Sequence, residues 1–428
     1  MTRAVRILNH PYLAGDTSTD LTRVPDPKPD QIYMLYVHVP FCRQLCTYCS
    51  FNRFYFKEDR TRSYFKTLRQ EMDMVADLGY RFGAMYIGGG TPTVLLDELA
   101  ETIDKAKGLF PDIKDVSSET NPIDLGDELY QALSGRVDRL SVGVQSFDND
   151  LLRQMSRYQT TGSAEETLER VRSMRGKFGS FNVDMIYNFP TESFETLAHD
   201  LELVRQTGCN QTTFYPLMAS PEKRRALRRT IGKIDYKREH AMFNMVYDGL
   251  TEGGLFVPSS AWTFSANRDM IIDEYIVDYP EYVGIGSGAM SYLGGANYTN
   301  TFSLREYHKR IDEGKMGLAK TTGASMGKRT AMRYTFAAKL FGLYLDNREF
   351  KETYGVTVQQ GLPLEMAFMK LVGALDQNDE DAVTLTAKGR YLMVALMRET
   401  LAHSNDYRDQ ARAALSRDEY TELLEPPK

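Results

Sequence analysis

YVHVPFCRQLCTYCSF, residues 36–51, places Cys42, Cys46 and Cys49, three of the chain's 4 cysteines, within a few positions of one another. The residues just before them, YMLYVHVP (33–40), mix β-branched and aromatic side chains and stop at Pro40, so they read as a strand that delivers the cysteines to its C-terminal end. Thiolates at this density favour zinc, copper(I) or iron in an iron–sulfur cluster. A structural zinc site asks for four ligands, usually in two close pairs, and the loop offers only His38 or the remote Cys209 as a fourth. An electron-transfer [4Fe–4S] cluster also takes four cysteines. The spacing Cys-x3-Cys-x2-Cys therefore suits a cluster with one iron left open to a small ligand that is not protein. The competing reading is three thiols packed as small hydrophobes.

Outward from this loop the pattern repeats. A helix with apolar Tyr64, Leu68, Met72 and Val75 at spacings of three and four covers about residues 60–78. The strand AMYIGG (84–89) follows. Helix and strand then alternate through LDELAETIDKAKGLF, DVSSETN, LGDELYQALSG, RLSVGVQS, AEETLERVRSMRGKF, FNVDMIYNFP, FETLAHDLELVRQTG and QTTFYPLM. Alternation of this kind predicts a parallel sheet with helices outside, an α/β partial (β/α)6 barrel of the TIM type, with function at the C-terminal ends of the strands. Residues 1–32, rich in proline towards their end, read as an N-terminal arm, and residues 33–300 as the barrel. Residues 301–428, with amphipathic stretches such as EMAFMKLVGAL and TAKGRYLMVALMRETL, read as a C-terminal, mainly helical, winged-helix-like domain.

Composition narrows the class. With 428 residues, 42% hydrophobic and 26% charged, the chain has ample core material, and no apolar run approaches the ~20 residues of a membrane span. The N-terminus lacks a secretory h-region, which predicts a cytoplasmic protein. A formal net charge of −6 gives no electrostatic reason to expect nucleic acid. The segment TFYPLMASPEKRRALRR (213–229) would suit a flat apolar substrate bearing carboxylates, with an exposed basic helix as the alternative. His38 reads as a strand histidine making a local hydrogen bond. His10, His199, His240, His308 and His403 have no convergent context.

CRQLCTYC resembles the signature of radical S-adenosylmethionine enzymes. YVHVPFC, YIGGGTPT, SVGVQSFDNDLLRQMSR, NVDMIYNFP and YVGIGSGAMSY follow in the order of the branch that holds oxygen-independent coproporphyrinogen oxidase, the haem chaperone and the class C radical methyltransferases. The resemblance covers roughly residues 33–400. It implies a radical SAM barrel, a [4Fe–4S] cluster on Cys42, Cys46 and Cys49, and one or two molecules of S-adenosylmethionine, chelated to the open iron by amino and carboxylate groups. It implies further that Tyr36, Gly88, Gly89, Gly90, Thr91, Glu119, Gln145, Arg157, Asp184 and Met290 surround this cosubstrate. A reducing flavodoxin- or ferredoxin-type electron donor is implied as partner, and a tetrapyrrole or similar aromatic small molecule as substrate.

The chain departs from its relatives in informative places. The oxidase has a further cysteine just after the third ligand, where this chain has Ser50 and Phe51. The chaperone carries a His-Asn…Tyr-Trp element absent from FSANRDMIIDEYIVDYPEYVGIG (264–286), and SRYQ and YNFP replace its usual motifs. These differences favour a methyltransferase-like radical enzyme, with a haem carrier or the oxidase as alternatives.

Overall fold

The computed structural model describes residues 15–16, 21–268, 270–271, 275–323 and 327–424. Much of the expected N-terminal arm, residues 1–14 and 17–20, lies outside the described residues; Gly15–Asp16 pairs antiparallel with a strand near residue 320.

Strand β1 (Tyr33–Val39) is buried except at half-buried Tyr36. A parallel strand covered on both faces has no solvent side, which accounts for its unbroken apolar run. Strands β2 (Phe82–Gly89), β3 (Asp115–Thr120), β4 (Arg139–Gln145), β5 (Ser180–Tyr187) and β6 (Gln211–Pro216) lie beside it in sequence order, all parallel. Helices α1 (Glu58–Asp77), α2 (Leu96–Leu109), α3 (Asp127–Leu133), α4 (Ala164–Ser173) and α5 (Phe194–Thr207) connect them. On α1, Tyr64, Leu68, Met72 and Val75 are all fully buried, as their spacing predicts. Helix α4 starts with a reciprocal Ser163–Glu166 capping box, and α5 ends at Gly208 in the left-handed conformation.

Beyond β6, helices α6 (Pro221–Thr230) and α7 (Glu239–Thr251) lead to the short strand β7 (Thr263–Ser265), which pairs antiparallel with β6. At the other edge β8 (Tyr282–Ile285) joins β1 in parallel and is followed by an antiparallel ladder of β9 (Met290–Leu293), β10 (Ala296–Asn300) and β11 (Leu318–Gly323). Among the described residues the two edges do not pair, so the barrel is open, as the repeated βα pattern predicts.

The C-terminal region is largely helical. Helix α8 (Lys328–Phe341) precedes a three-stranded antiparallel sheet of Tyr344–Asp346, Ala382–Leu385 and Leu375–Asn378, and α9 (Ala387–Ala413) and α10 (Arg417–Leu424) follow. Helix α9 returns to the barrel and packs against α8 and α6. Arg398 on α9 forms a buried ion pair with Glu239 of α7 and stacks 4.6 Å over the Tyr236 ring, while the Tyr391 hydroxyl donates to the same carboxylate at 3.1 Å. Among the described residues no helix is long and apolar enough to cross a membrane.

One buried acid fixes a strand end. Asp200 on α5 accepts hydrogen bonds from the Phe147 amide at 2.7 Å and the Ser146 hydroxyl at 2.8 Å, which pins the turn after β4. Burial pushes its pKa up from 3.8 to about 7 against these bonds. Because the folded value exceeds the unfolded one, the associated stability is complete below pH ~4 and is lost as pH rises through about 7, by up to about 4 kcal/mol. Asp200→Asn should therefore flatten the decline in unfolding free energy measured by urea titration at pH 5 and pH 8.

Candidate active site

Pro40 ends β1, and the chain turns into the two-residue strand Phe41–Cys42, which pairs in parallel with Phe54–Tyr55. Residues 43–53 are thereby closed into a loop at the strand's C-terminal end. His38 anchors it from below: Nε2 lies 2.8 Å from the Asn52 carbonyl, which can only accept, so the proton is on Nε2 and Nδ1 accepts the Tyr36 hydroxyl at 2.8 Å. Burial lowers the His38 pKa to about 4, so the ring stays neutral with both nitrogens committed. The expected local hydrogen-bonding role holds.

Arg53 organises the cysteine loop from inside. Its Nη2 donates to the carbonyls of Cys46 at 2.6 Å and Cys49 at 2.7 Å, whereas Nε and Nη1 are buried with no hydrogen-bond partner in the structure. Burial works against its charge, but the fields of Cys49, Cys46 and Cys42 outweigh it and raise its pKa. The Cys42 thiol is pushed up to about 12 by burial, with Arg53 and the Thr91 hydroxyl, 3.6 Å away, pulling the other way. Among the described residues no three His, Cys, Asp or Glu side chains are grouped closely enough to grip a single metal ion. A buried guanidinium with two unpartnered N–H groups in the field of three sulfurs is, however, the environment an anionic thiolate–iron cluster requires, since a coordinating thiol is deprotonated outright. These residues fit such a cluster.

The strand ends beside the loop are tightly packed. Gly89 has φ +113°, and a Cβ there would lie 2.3 Å from the His38 ring; a Cβ on Gly90 would lie 2.7 Å from the Phe41 backbone. Glycine is thus dictated here by the approach of β1 to β2. Gly88 abuts the Glu119 carboxylate and does not line the cavity described below. Glu119 accepts from the Tyr86 hydroxyl at 2.7 Å and the Gly89 amide at 3.1 Å. The Thr91 hydroxyl accepts from Asn121 Nδ2 at 2.5 Å. Gln145 closes β4 at φ +78°, beside a register shift against β5. Arg157 donates to Asn121 Oδ1 at 2.8 Å, to the Gly143 carbonyl and, at 3.5 Å, to Cys46 Sγ, which ties the cysteine loop to β3 and β4. Asp184 accepts from Ser141 and Asn182, each at 2.7 Å. Met290 opens β9.

All of these except Gly88, together with Tyr36 and the three cysteines, line one cavity of about 1020 Å³. It runs from the cysteine loop to the face of α9 that carries Met393, Leu396, Met397, Thr400 and Arg408. Arg53, Asn121, Tyr275 and Arg408 carry no sequence signal for a site. His403, without context in the sequence, is also on the wall. Of the segment expected to form the substrate mouth, Tyr215–Met218 line the cavity, but the lysine and arginines of α6 do not: that helix is a largely exposed charged face.

Helix α9 also grips the cysteine loop. Asp409, buried, accepts from the Ser50 hydroxyl at 3.1 Å and from the Ser220 hydroxyl, and pairs with Arg412, which donates to the Phe51 carbonyl. Arg408 stacks 4.5 Å over the Phe51 ring.

Residues 36–204 match the model of the radical SAM superfamily. The matched residues contain the cysteine loop and strands β2 to β5. The chain is 26% identical over 368 residues to the heme chaperone HemW of Bacillus subtilis, covering 83% of this chain and 96% of that one. It is 28% identical over 310 residues to the oxygen-independent coproporphyrinogen III oxidase of Cereibacter sphaeroides, covering 66% of this chain and 67% of the relative. The solved structure of coproporphyrinogen III oxidase (HemN) from Escherichia coli, itself a radical SAM enzyme, superposes with a TM-score of 0.72 at 21% identity over 92% of this chain and 97% of that chain, which shows a shared fold. A match to this superfamily implies S-adenosylmethionine and a [4Fe–4S] cluster as cofactors.

Two substitutions probe this site. Gly89→Ala should destabilise the protein by roughly 2–4 kcal/mol in urea unfolding, through a strained φ and displacement of His38. Asp409→Ala strands Arg412 and two buried hydroxyls, costing about 3 kcal/mol or more, and should lower the iron bound on anaerobic reconstitution, while Asp409→Asn does so less.

Proposed function

We propose that this protein is a radical SAM enzyme whose cavity takes a tetrapyrrole beside the cluster, in the manner of the oxygen-independent oxidases it resembles. The observation that carries the reading is the single cavity of about 1020 Å³, which joins the three cysteines and the ends of β2 to β5 to the apolar face of α9. That volume is at the upper end for small-molecule sites and suits a macrocycle with a cosubstrate beside it. Cys42, Cys46 and Cys49 would hold the cluster, and Tyr36, Gly89, Gly90, Thr91, Glu119, Gln145, Arg157, Asp184 and Met290 would surround S-adenosylmethionine, with Gly88 giving Glu119 room. When bound, the pair supplies one-electron cleavage of a sulfonium and hydrogen-atom abstraction.

The chain's own part is placement and exclusion of water. Tyr36 stacks with Tyr86 and with Tyr275 at ring centroids 6.1 and 6.3 Å apart, and the three rings would offer aromatic faces to a planar ring. Glu119 holds the β2 end in register, and Arg157 ties the cluster loop to β3 and β4. A reducing flavodoxin- or ferredoxin-type protein would deliver the electron.

A second reading, haem carriage, is favoured by the alignment with HemW over 96% of that relative's length. The relatives named above are an oxidase and a haem chaperone, so methyl transfer, which the departures from the family motifs favoured, gives way to these two.

Anaerobic reconstitution with iron and sulfide should give a reduced [4Fe–4S] resonance that shifts on addition of S-adenosylmethionine and is lost in Cys46→Ala. Coproporphyrinogen with dithionite should then yield deoxyadenosine and a decarboxylated porphyrinogen. Stoichiometric haem binding without deoxyadenosine would replace the oxidase reading by the carrier. An unshifted resonance would remove the enzymatic one altogether.

A further inference from the structure

Five arginines line the cavity, and four of them are accounted for within the protein. Arg43 faces Asp124 at 3.7 Å, and Arg333 pairs with Glu365 at 2.6 Å. Arg53 holds two carbonyls in the field of the cysteine sulfurs, and Arg157 reaches Asn121, Gly143 and Cys46. Arg408 differs. Its Nη1 donates to the neutral Asn405 Oδ1 at 2.9 Å and its plane stacks on Phe51, but among the described residues no carboxylate pairs with it. The acids on the wall are engaged elsewhere: Glu119 by Tyr86 and Gly89, Asp184 by Ser141 and Asn182, Asp124 by Thr93, and Glu365 by Arg333. Arg408 stacks on Phe51 of the cysteine loop and shares the cavity wall with Tyr36, Tyr275 and Tyr282, so the guanidinium lies where the tyrosine faces meet that loop.

A guanidinium on the wall of a largely apolar cavity, without an acidic partner, is a receptor for an anion, and its planar fork matches a carboxylate. Two molecules in the cavity could supply that group. The amino-acid carboxylate of a chelated S-adenosylmethionine would be held by the open iron of the proposed cluster, which leaves the substrate's own. We propose that Arg408 receives a carboxylate side chain of the substrate and so selects, and orients against the tyrosine faces, a planar molecule bearing peripheral carboxylates. The inference rests on the tetrapyrrole reading and names the residue that would recognise it.

The test is equilibrium binding of coproporphyrin and of its tetra-amide to the reconstituted full-length chain, followed by absorbance and tryptophan quenching, for wild type, Arg408→Gln and Arg408→Lys. The wild type should prefer the tetracarboxylate by tenfold or more. Arg408→Gln should abolish that preference while the amide still binds, and Arg408→Lys should restore part of it. Equal loss of both ligands in Arg408→Gln, or an unchanged preference, would overturn the assignment. So would a variant that weakens S-adenosylmethionine binding alone, which would move the carboxylate to the cosubstrate. Wild-type protein that binds neither porphyrin would overturn the tetrapyrrole reading itself, a result separate from any loss seen only in the variant. If Arg408→Gln does not fold, the Arg408→Lys ratio and the wild-type preference decide.

Discussion

The cysteine loop is held by buried side chains that donate hydrogen bonds to its backbone carbonyls, and the rest of the site depends on this. A loop that must present three sulfurs outwards cannot bury itself as a helix or a strand ladder would, and its carbonyls still need donors. Arg53 supplies them at Cys46 and Cys49 from within the loop, Arg412 supplies one at Phe51 from α9, and His38 meets Asn52 from β1. These donors come from elements far apart in sequence. The loop therefore takes its shape only once barrel and C-terminal helix are both in place.

That dependence gives α9 two functions in one element. Its apolar face, Met393 to Ser404, closes the cavity, and its last turns, through Asp409 and Arg412, brace the loop from outside. About three turns before Asp409, Arg398 is locked into Glu239 on α7, with Tyr391 on the same carboxylate. A buried ion pair of this kind contributes little net stability, but removing either partner is costly, so it fixes how the helix sits against the barrel. Because the same helix touches substrate space and the cysteine loop, a ligand that shifts it acts on both.

The cavity's electrostatics follow the same logic. Half-buried acids such as Glu119 and Asp184 accept from hydroxyl and amide donors, which keeps them oriented at the strand ends. Excess positive charge gathers around the sulfurs, where anionic ligands and an anionic cluster would be stabilised in a low dielectric. The basic side chains of α6 do not line the cavity, although its composition made it a conspicuous candidate in the sequence.

Much of the architecture was legible in the chain alone. Strands and helices from Tyr33 to Pro216 follow apolar periodicity and glycine or serine punctuation closely, because a parallel barrel imposes continuous apolar strands and one-sided helices. The cysteine spacing and the glycine run announced their chemistry because both are local: neighbours in sequence stay neighbours at a strand end. Arg53, Asn121, Arg408, His403 and Asp409 were not legible, since a lone polar residue on a loop or a long helix has no periodicity to betray it. Their place is set by which face α9 turns towards the barrel, a choice made by packing against α6 and α8 and by the Arg398–Glu239 pair. The sequence by itself determined the strands, the helices and the place of the three cysteines at a strand end. Only the tertiary structure decided which distant charges surround them, because electrostatic partners are selected by proximity in space and leave no repeat along the chain.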